Sequence, residues 1–144
     1  MEKLKIAIGS DHGGFEYKEK IKEYLKSKGY DFVDVGTYST DSCDYPVIAK
    51  DVANKVVSGD VDRGILICGT GIGMSITANK VKGIRAALCG DTFSARATRA
   101  HNNSNILCLG ERVIGIQLAL DIVDIWLNTD FEGGRHQRRI DMIE

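Results

Sequence analysis

Cys68 ends an apolar run, Ile65 to Ile67, and is followed by three glycines in five positions, Gly69, Gly71 and Gly73, in "CGTGIGMS". A thiol at the lip of a strand, ahead of a loop almost without side chains, suggests chemistry with an anion. The loop lacks the lysine and spacing of a Walker A motif, and its third glycine comes one residue early for GxGxxG. What remains is backbone N–H groups that can approach an anionic oxygen at a helix N-terminus. The same helix end favours thiolate over thiol at Cys68. A basic thiol beside an anion-stabilising loop suits proton abstraction next to a carbonyl: the base takes the proton and the N–H groups hold the enediolate. The plainer alternative is that Cys68 is a small core residue. That alternative is preferred for Cys108, inside an apolar run. Cys89 precedes only "GDT" and is a weaker candidate, and Cys43 lies in a polar loop without a pattern.

Asp11 and His12 stand side by side before Gly13 and Gly14 and can move protons there. Alternatively Asp11 caps the next helix and His12 is merely solvated. His101 either caps a helix C-terminus or takes part in chemistry, and Asn102 and Asn103 fit an ordinary turn. Arg112 falls just past a strand, where an anion would lie. In the tail, Arg135, Arg138 and Arg139 form a basic cluster that is either a solvated face or a phosphate site. Arg135 and Arg139 are four apart and share a helix side, and paired guanidinium groups match a phosphate. A terminal helix after the Gly133–Gly134 break is placed to reach over a partner subunit.

These residues must be positioned by alternating short and long elements. Strands are expected at Leu4–Gly9, Asp31–Gly36, Arg63–Cys68, Ile84–Cys89 and Asn105–Gly110. Helices are expected at Lys18–Lys28, with Ile21, Tyr24 and Leu25 on one face and Gly29 ending it, and from Pro46, with Ile48, Val52 and Val56 inward. A short helix follows the glycines. Thr92–Asn102 is expected to turn Phe93, Ala97 and Ala100 inward, and Ile114–Leu127 to turn Leu118, Ile122, Ile125 and Trp126 inward. The tail becomes helical again after Gly134. Five strands alternating with helices imply an α/β fold with a parallel sheet, right-handed crossovers and helices on both faces. Such a sheet binds ligands beyond the carboxyl ends of its strands.

The chain of 144 residues fits one domain, residues 1–144, with 43% apolar and 27% charged residues. A net charge of -1 suggests neither nucleic acid nor an acidic membrane as partner. No apolar run approaches the roughly 20 residues that span a bilayer. The start, "MEKLKIAIG", has no long apolar region and reads as no signal peptide. The four cysteines show no CxxC pairing and no metal-ligand spacing with His12, His101 or His136, and in a cytoplasmic chain they are expected to be free thiols.

Taken together, "SDHGGFEYK", "CGTGIGMSITANK", "GIRAALC", "AHNNSNILCLGERVIG" and "EGGRHQRRI" resemble the type B ribose-5-phosphate isomerases, a family that also holds allose- and galactose-6-phosphate isomerases. The resemblance runs in matching order from about Lys5 to Ile140. It implies a three-layer, flavodoxin-like Rossmann sandwich with a five-stranded sheet. It also implies a homodimer, with a tetramer as the alternative, with sites at the subunit interface, and neither metal nor cofactor. By position, Cys68 matches the proton acceptor and His101 the group that assists ring opening, helped by Asp11. Asp11 and His12 match sugar-binding positions. Gly69, Thr70, Gly71, Ile72 and Gly73 match the loop that holds the enediolate oxygens. Asn102 matches a substrate-binding amide, and Arg112, Arg135 and Arg139 match phosphate and substrate contacts, some made across the dimer. Arg138 falls where relatives vary. Spacing alone would put the phosphate on the glycine loop, whereas the resemblance puts the reacting carbons there. Some relatives use a glutamate as base and lack the thiol. With Cys68 and Thr70 both present, the cysteine version is implied, and both count as catalytic. The implied reaction interconverts ribose 5-phosphate and ribulose 5-phosphate. Rival readings are an isomerase of a six-carbon sugar phosphate and a non-catalytic flavodoxin-like module carrying FMN.

Overall fold

A computed structural model describes residues 4–144; the charged start, residues 1–3, lies outside the described residues. The elements are β1 (Lys5–Ser10), a 3-10 turn (His12–Gly14), α1 (Phe15–Ser27), β2 (Asp31–Asp34), α2 (Tyr45–Val57), β3 (Arg63–Cys68), α3 (Ile72–Ala78), β4 (Ala86–Leu88), α4 (Thr92–Asn102), β5 (Ile106–Gly110), α5 (Ile116–Asn128) and α6 (Arg135–Asp141). All strand pairs are parallel, in the order β2-β1-β3-β5-β4.

The strand alternation of apolar residues builds two cores. Ile6, Ile8, Ile65, Ile67, Leu107 and Leu109 face α1, α4 and α5. Ala7, Leu66, Cys68, Ile106 and Cys108 face α2 and α3. Both strand faces are covered, so the central strands read as continuous apolar runs. Each fully buried Ile or Leu contributes roughly 1.5–3 kcal/mol. The result is the expected three-layer Rossmann-like sandwich. Its strand order departs from that of flavodoxin, β2-β1-β3-β4-β5, by exchanging the last two strands. The exchange puts the end of β5, and not that of β4, beside Cys68.

β3 and α4 have the expected bounds, and Gly29 ends α1 at a φ of 80°. β4 is shorter than Ile84–Cys89 because it is an edge strand. Its outer side is closed by Asn79, which donates to Ala86 O (3.0 Å) and accepts from Ala86 N (2.8 Å). Phe93 is a correction: it is 73% exposed, and α4 buries Ala95, Thr98, Arg99 and Ala100 instead. Polar residues take inward places there because Arg99 satisfies carbonyls at the helix end, donating to Ser104 O (2.6 Å) and Thr129 O (3.3 Å).

Lys18 on α1 is fully buried and donates to both carboxylate oxygens of Asp34 at 2.7 Å, while Lys22 donates at 2.8 Å. Burial alone would raise the Asp34 carboxyl. The bonds from Lys18, Lys22 and the Gly36 N–H outweigh it and hold the group below the usual carboxylate range. Asp34→Ala leaves the buried Lys18 ammonium with only the longer, half-exposed Glu19 contact at 3.5 Å and should cost about 3 kcal/mol in urea unfolding at neutral pH. A carboxyl depressed in the folded state stabilises above its unfolded value, about 3.9. That contribution is lost as pH falls through the lower folded value. The gap between wild type and Asp34→Ala should therefore close in acid, which unfolding curves at stepped pH will show.

Candidate active site

Three strand ends converge because β3 lies between β1 and β5. Asp11 N donates to Ile67 O (3.2 Å), Glu111 N to Cys68 O (2.9 Å) and Arg112 N to Gly69 O (3.0 Å). These cross-links lock the segments after β1 and β5 against the glycine loop. Asp11 is buried, and its Oδ1 accepts from Gly13 N (2.9 Å) and Gly14 N (3.1 Å), so it does cap the 3-10 turn. Both bonds fall on one oxygen. His12 is half-buried, and its Nδ1 accepts from Cys43 N at 3.2 Å. That contact assigns the ring proton of the neutral imidazole to Nε2, which is then a donor.

Cys68 is 5% exposed, and its Sγ accepts from Gly71 N at 3.0 Å. A donor aimed at sulfur stabilises negative charge there. Gly71 makes this turn at a φ of 80°, and a Cβ on it would lie 2.4 Å from Leu88 Cδ1. Thr70 Oγ1 accepts from Ile72 N at 3.2 Å, so two of the loop's N–H groups are already engaged. Arg112 lies across the loop, its Nη1 3.3 Å from where a Cβ on Gly69 would sit. Tyr45 packs against the loop, its ring 2.6 Å from the Cβ position of Gly73. Sequence reasoning missed Tyr45; its only signal was its place before the single proline, where the helix start turns it toward the loop.

Burial pushes Cys108 far up, and burial with the Asp91 charge pushes Cys89 up to about 11. Neither thiol carries charge near neutrality. Cys108→Ala should cost about 1 kcal/mol of stability as a small core truncation and leave turnover unchanged, checked by denaturation and a rate assay on the same sample.

A second cluster gathers the remaining candidates. His101 and Asn102, both exposed, end α4. The His101 ring stacks on His136 with centroids 4.4 Å apart, and both imidazoles approach Glu132 Oε1, at 3.9 and 3.4 Å. Glu132 N donates to Ala100 O at 3.0 Å, which ties the tail to α4. With Arg139 and Ile140, these histidines and Asn102 line a groove of about 390 Å³. Arg135 is exposed on the same short helix.

The two clusters lie at opposite ends of the strands. α4 runs back from the carboxyl end of β4, and its end meets the chain entering β5, where Gly64 N donates to Asn105 O at 2.9 Å. Gly64 pairs with Ile106 and Cys68 with Gly110. Those registers are four residues apart, about 13 Å at the rise of an extended strand. Within one chain, then, Asp11, His12, Gly69 to Gly73 and Arg112 surround Cys68, whereas His101, Asn102, Arg135 and Arg139 do not.

Among the described residues, no helix is long and apolar enough to cross a membrane. The family described as Ribose/Galactose Isomerase matches residues 6–143. Ribose-5-phosphate isomerase B of Escherichia coli is 51% identical over 139 residues, covering 96% of this chain and 93% of that one. The solved ribose-5-phosphate isomerase B of Clostridium thermocellum superposes with a TM-score of 0.96 at 57% identity, over 96% of this chain and 94% of that one. The enzyme of Mycoplasma genitalium, solved with bound ribulose-5-phosphate, superposes with a TM-score of 0.92 at 49% identity, over 96% of this chain and 93% of that one. With a match that spans both the glycine loop and the arginine-bearing tail, the chain belongs to the ribose/galactose isomerase family.

Proposed function

We propose that the protein interconverts D-ribose 5-phosphate and D-ribulose 5-phosphate, in a site completed by a second copy of the chain. The observation that carries the reading is the Cys68 thiol at the centre of the strand ends, with the Gly71 N–H aimed at its sulfur. The names of the relatives support the substrate.

In this reading His101, helped by Asp11, takes the anomeric hydroxyl proton and delivers it to the ring oxygen O4 as the C1–O4 bond breaks and C1 becomes a carbonyl, which opens the furanose. Cys68 thiolate then takes the C2 proton. The C–H electron pair becomes the C1–C2 double bond, and the carbonyl electrons move onto O1. Donors of the Gly69–Gly73 loop, with Thr70 and Asn102, hold the cis-enediolate. The O2 proton passes to O1 as the proton on sulfur returns to C1. Arg112, Arg135 and Arg139 bind the phosphate, and His12 Nε2 donates to the sugar. A general base and an oxyanion-type site contribute roughly 10²–10⁴-fold and 10²–10³-fold.

The separation of His101 from Cys68 within one chain favours a homodimer. The exposed apolar side chains Ile72, Ile76, Leu88 and Phe93 on and beside α3 supply a surface for it. A coupled assay with ribose 5-phosphate, allose 6-phosphate and galactose 6-phosphate tests the substrate. The highest kcat/KM should fall on the pentose, and a clear preference for a hexose phosphate would replace it. His101→Asn should cripple turnover of cyclic ribose 5-phosphate and cost less with erythrose 4-phosphate, which cannot close to a furanose. Equal losses on the two substrates would remove ring opening from its role.

A further inference from the structure

We propose that His101, Glu132 and His136 form a site for a divalent transition metal of the Zn²⁺ type, and that its occupancy silences the isomerase by taking up His101. The three ligands come from the last turn of α4, the connection before α6 and the first turn of α6. Their ligand atoms all lie within 4.8 Å of one another. Zn²⁺ holds imidazole nitrogen and carboxylate oxygen at roughly 2.0–2.2 Å, so tetrahedral ligand atoms sit about 3.4 Å apart. The His136–Glu132 pair already stands at 3.4 Å and the His101–Glu132 pair at 3.9 Å. The His101–His136 pair lies within 4.8 Å, so closing the site asks for up to about 1.4 Å between the two imidazoles on that scale.

The backbone holds the ligands together. Glu132 N bonds Ala100 O at 3.0 Å, next to His101, and His136 N bonds Gly133 O at 3.1 Å, next to Glu132. The His136 side chain is only 13% exposed and serves as the fixed ligand. The rings are stacked 16° from parallel, so one must turn to aim both nitrogens at a single ion. The His101 side chain, 48% exposed, has room to do so. Two imidazoles and one carboxylate select Zn²⁺, Co²⁺ or Ni²⁺ over Mg²⁺ or Ca²⁺. Arg139 lines the same groove, so the cation binds against a positive charge that the Glu132 carboxylate offsets. An ion on His101 removes the lone pair that ring opening needs. This inhibitory half rests on the ring-opening role proposed above; the binding half does not.

Co²⁺ titration of the metal-stripped full chain reads the binding half through visible d–d absorption. One equivalent per chain should bind. His136→Ala should abolish the spectrum, Glu132→Gln should weaken binding at least about tenfold, and Cys68→Ala should change nothing. An undiminished spectrum in His136→Ala, or cobalt–thiolate absorption that disappears in Cys68→Ala, overturns the site. For the inhibitory half, Zn²⁺ should lower turnover of ribose 5-phosphate at least tenfold and EDTA should restore it. His136→Ala should resist Zn²⁺, measured against its own metal-free rate. Stoichiometric cobalt binding with no slowing by Zn²⁺ overturns the inhibitory half and leaves the site intact, whereas the ring-opening role of His101 stands or falls separately on the His101→Asn comparison of ribose 5-phosphate with erythrose 4-phosphate.

Discussion

Cys68→Ala should leave a folded protein whose kcat on ribose 5-phosphate has fallen by roughly 10²–10⁴-fold, the range a general base supplies. Exchange of the C2 proton with solvent should fall with it. The structural cost is small, because the side chain lost is short and lies at the lip of the sheet, where α3 and β5 are held by other contacts. Sulfur at this position accepts from the Gly71 N–H at 3.0 Å, and alanine removes the acceptor of that bond without crowding the turn. Solvent-exchange NMR on the substrate separates the base from a residue that merely shapes the pocket. A shaping residue would raise KM and leave exchange coupled to turnover. An alanine enzyme that still exchanges the C2 proton at the wild-type rate would falsify the assignment, whatever its KM. Cys108→Ala supplies the control, since it removes the same atom from a fully buried place on the same face of the sheet.

The residues that surround Cys68 were legible because each signal is local. An apolar run ended by a thiol marks β3, and closely spaced glycines, of which Gly71 must turn with positive φ, mark the loop. α4 was legible in extent but not in facing. Phe93 reads as an inward residue by hydrophobicity, yet Arg99 takes an inward place by satisfying carbonyls near the helix end, and the helix turns accordingly. The exchange of β4 and β5 was out of reach, because pairing between strands depends on which sheet face each crossover helix covers. That exchange brings Arg112 across Gly69 and leaves Cys89 away from the loop. Lys18 stands in the sequence only as the start of an expected helix; its burial depends on Asp34, a partner sixteen residues away in the chain. Equally non-local is the placing of His101. Motifs that stand in line along the chain give no hint that α4 carries its last turn back to the amino ends of the strands, away from Cys68.

That placing makes the central claim testable. If one site needs Cys68 of one chain and His101 of another, two inactive variants should rescue each other. Cys68→Ala and His101→Asn chains, mixed after subunit exchange, give heterodimers in which one site carries both lesions and the other carries neither. The intact site pairs Cys68 of the second chain with His101 of the first. The same logic holds for Arg135→Ala with Arg139→Ala in place of His101→Asn, since the tail is tied to the end of α4 through Glu132 and Ala100. Native mass spectrometry of chains with distinguishable masses gives the heterodimer fraction, and a coupled isomerase assay gives the activity. The account predicts that activity rises with the heterodimer fraction toward half of wild type per heterodimer. Heterodimers that form in full and restore no activity would contradict it.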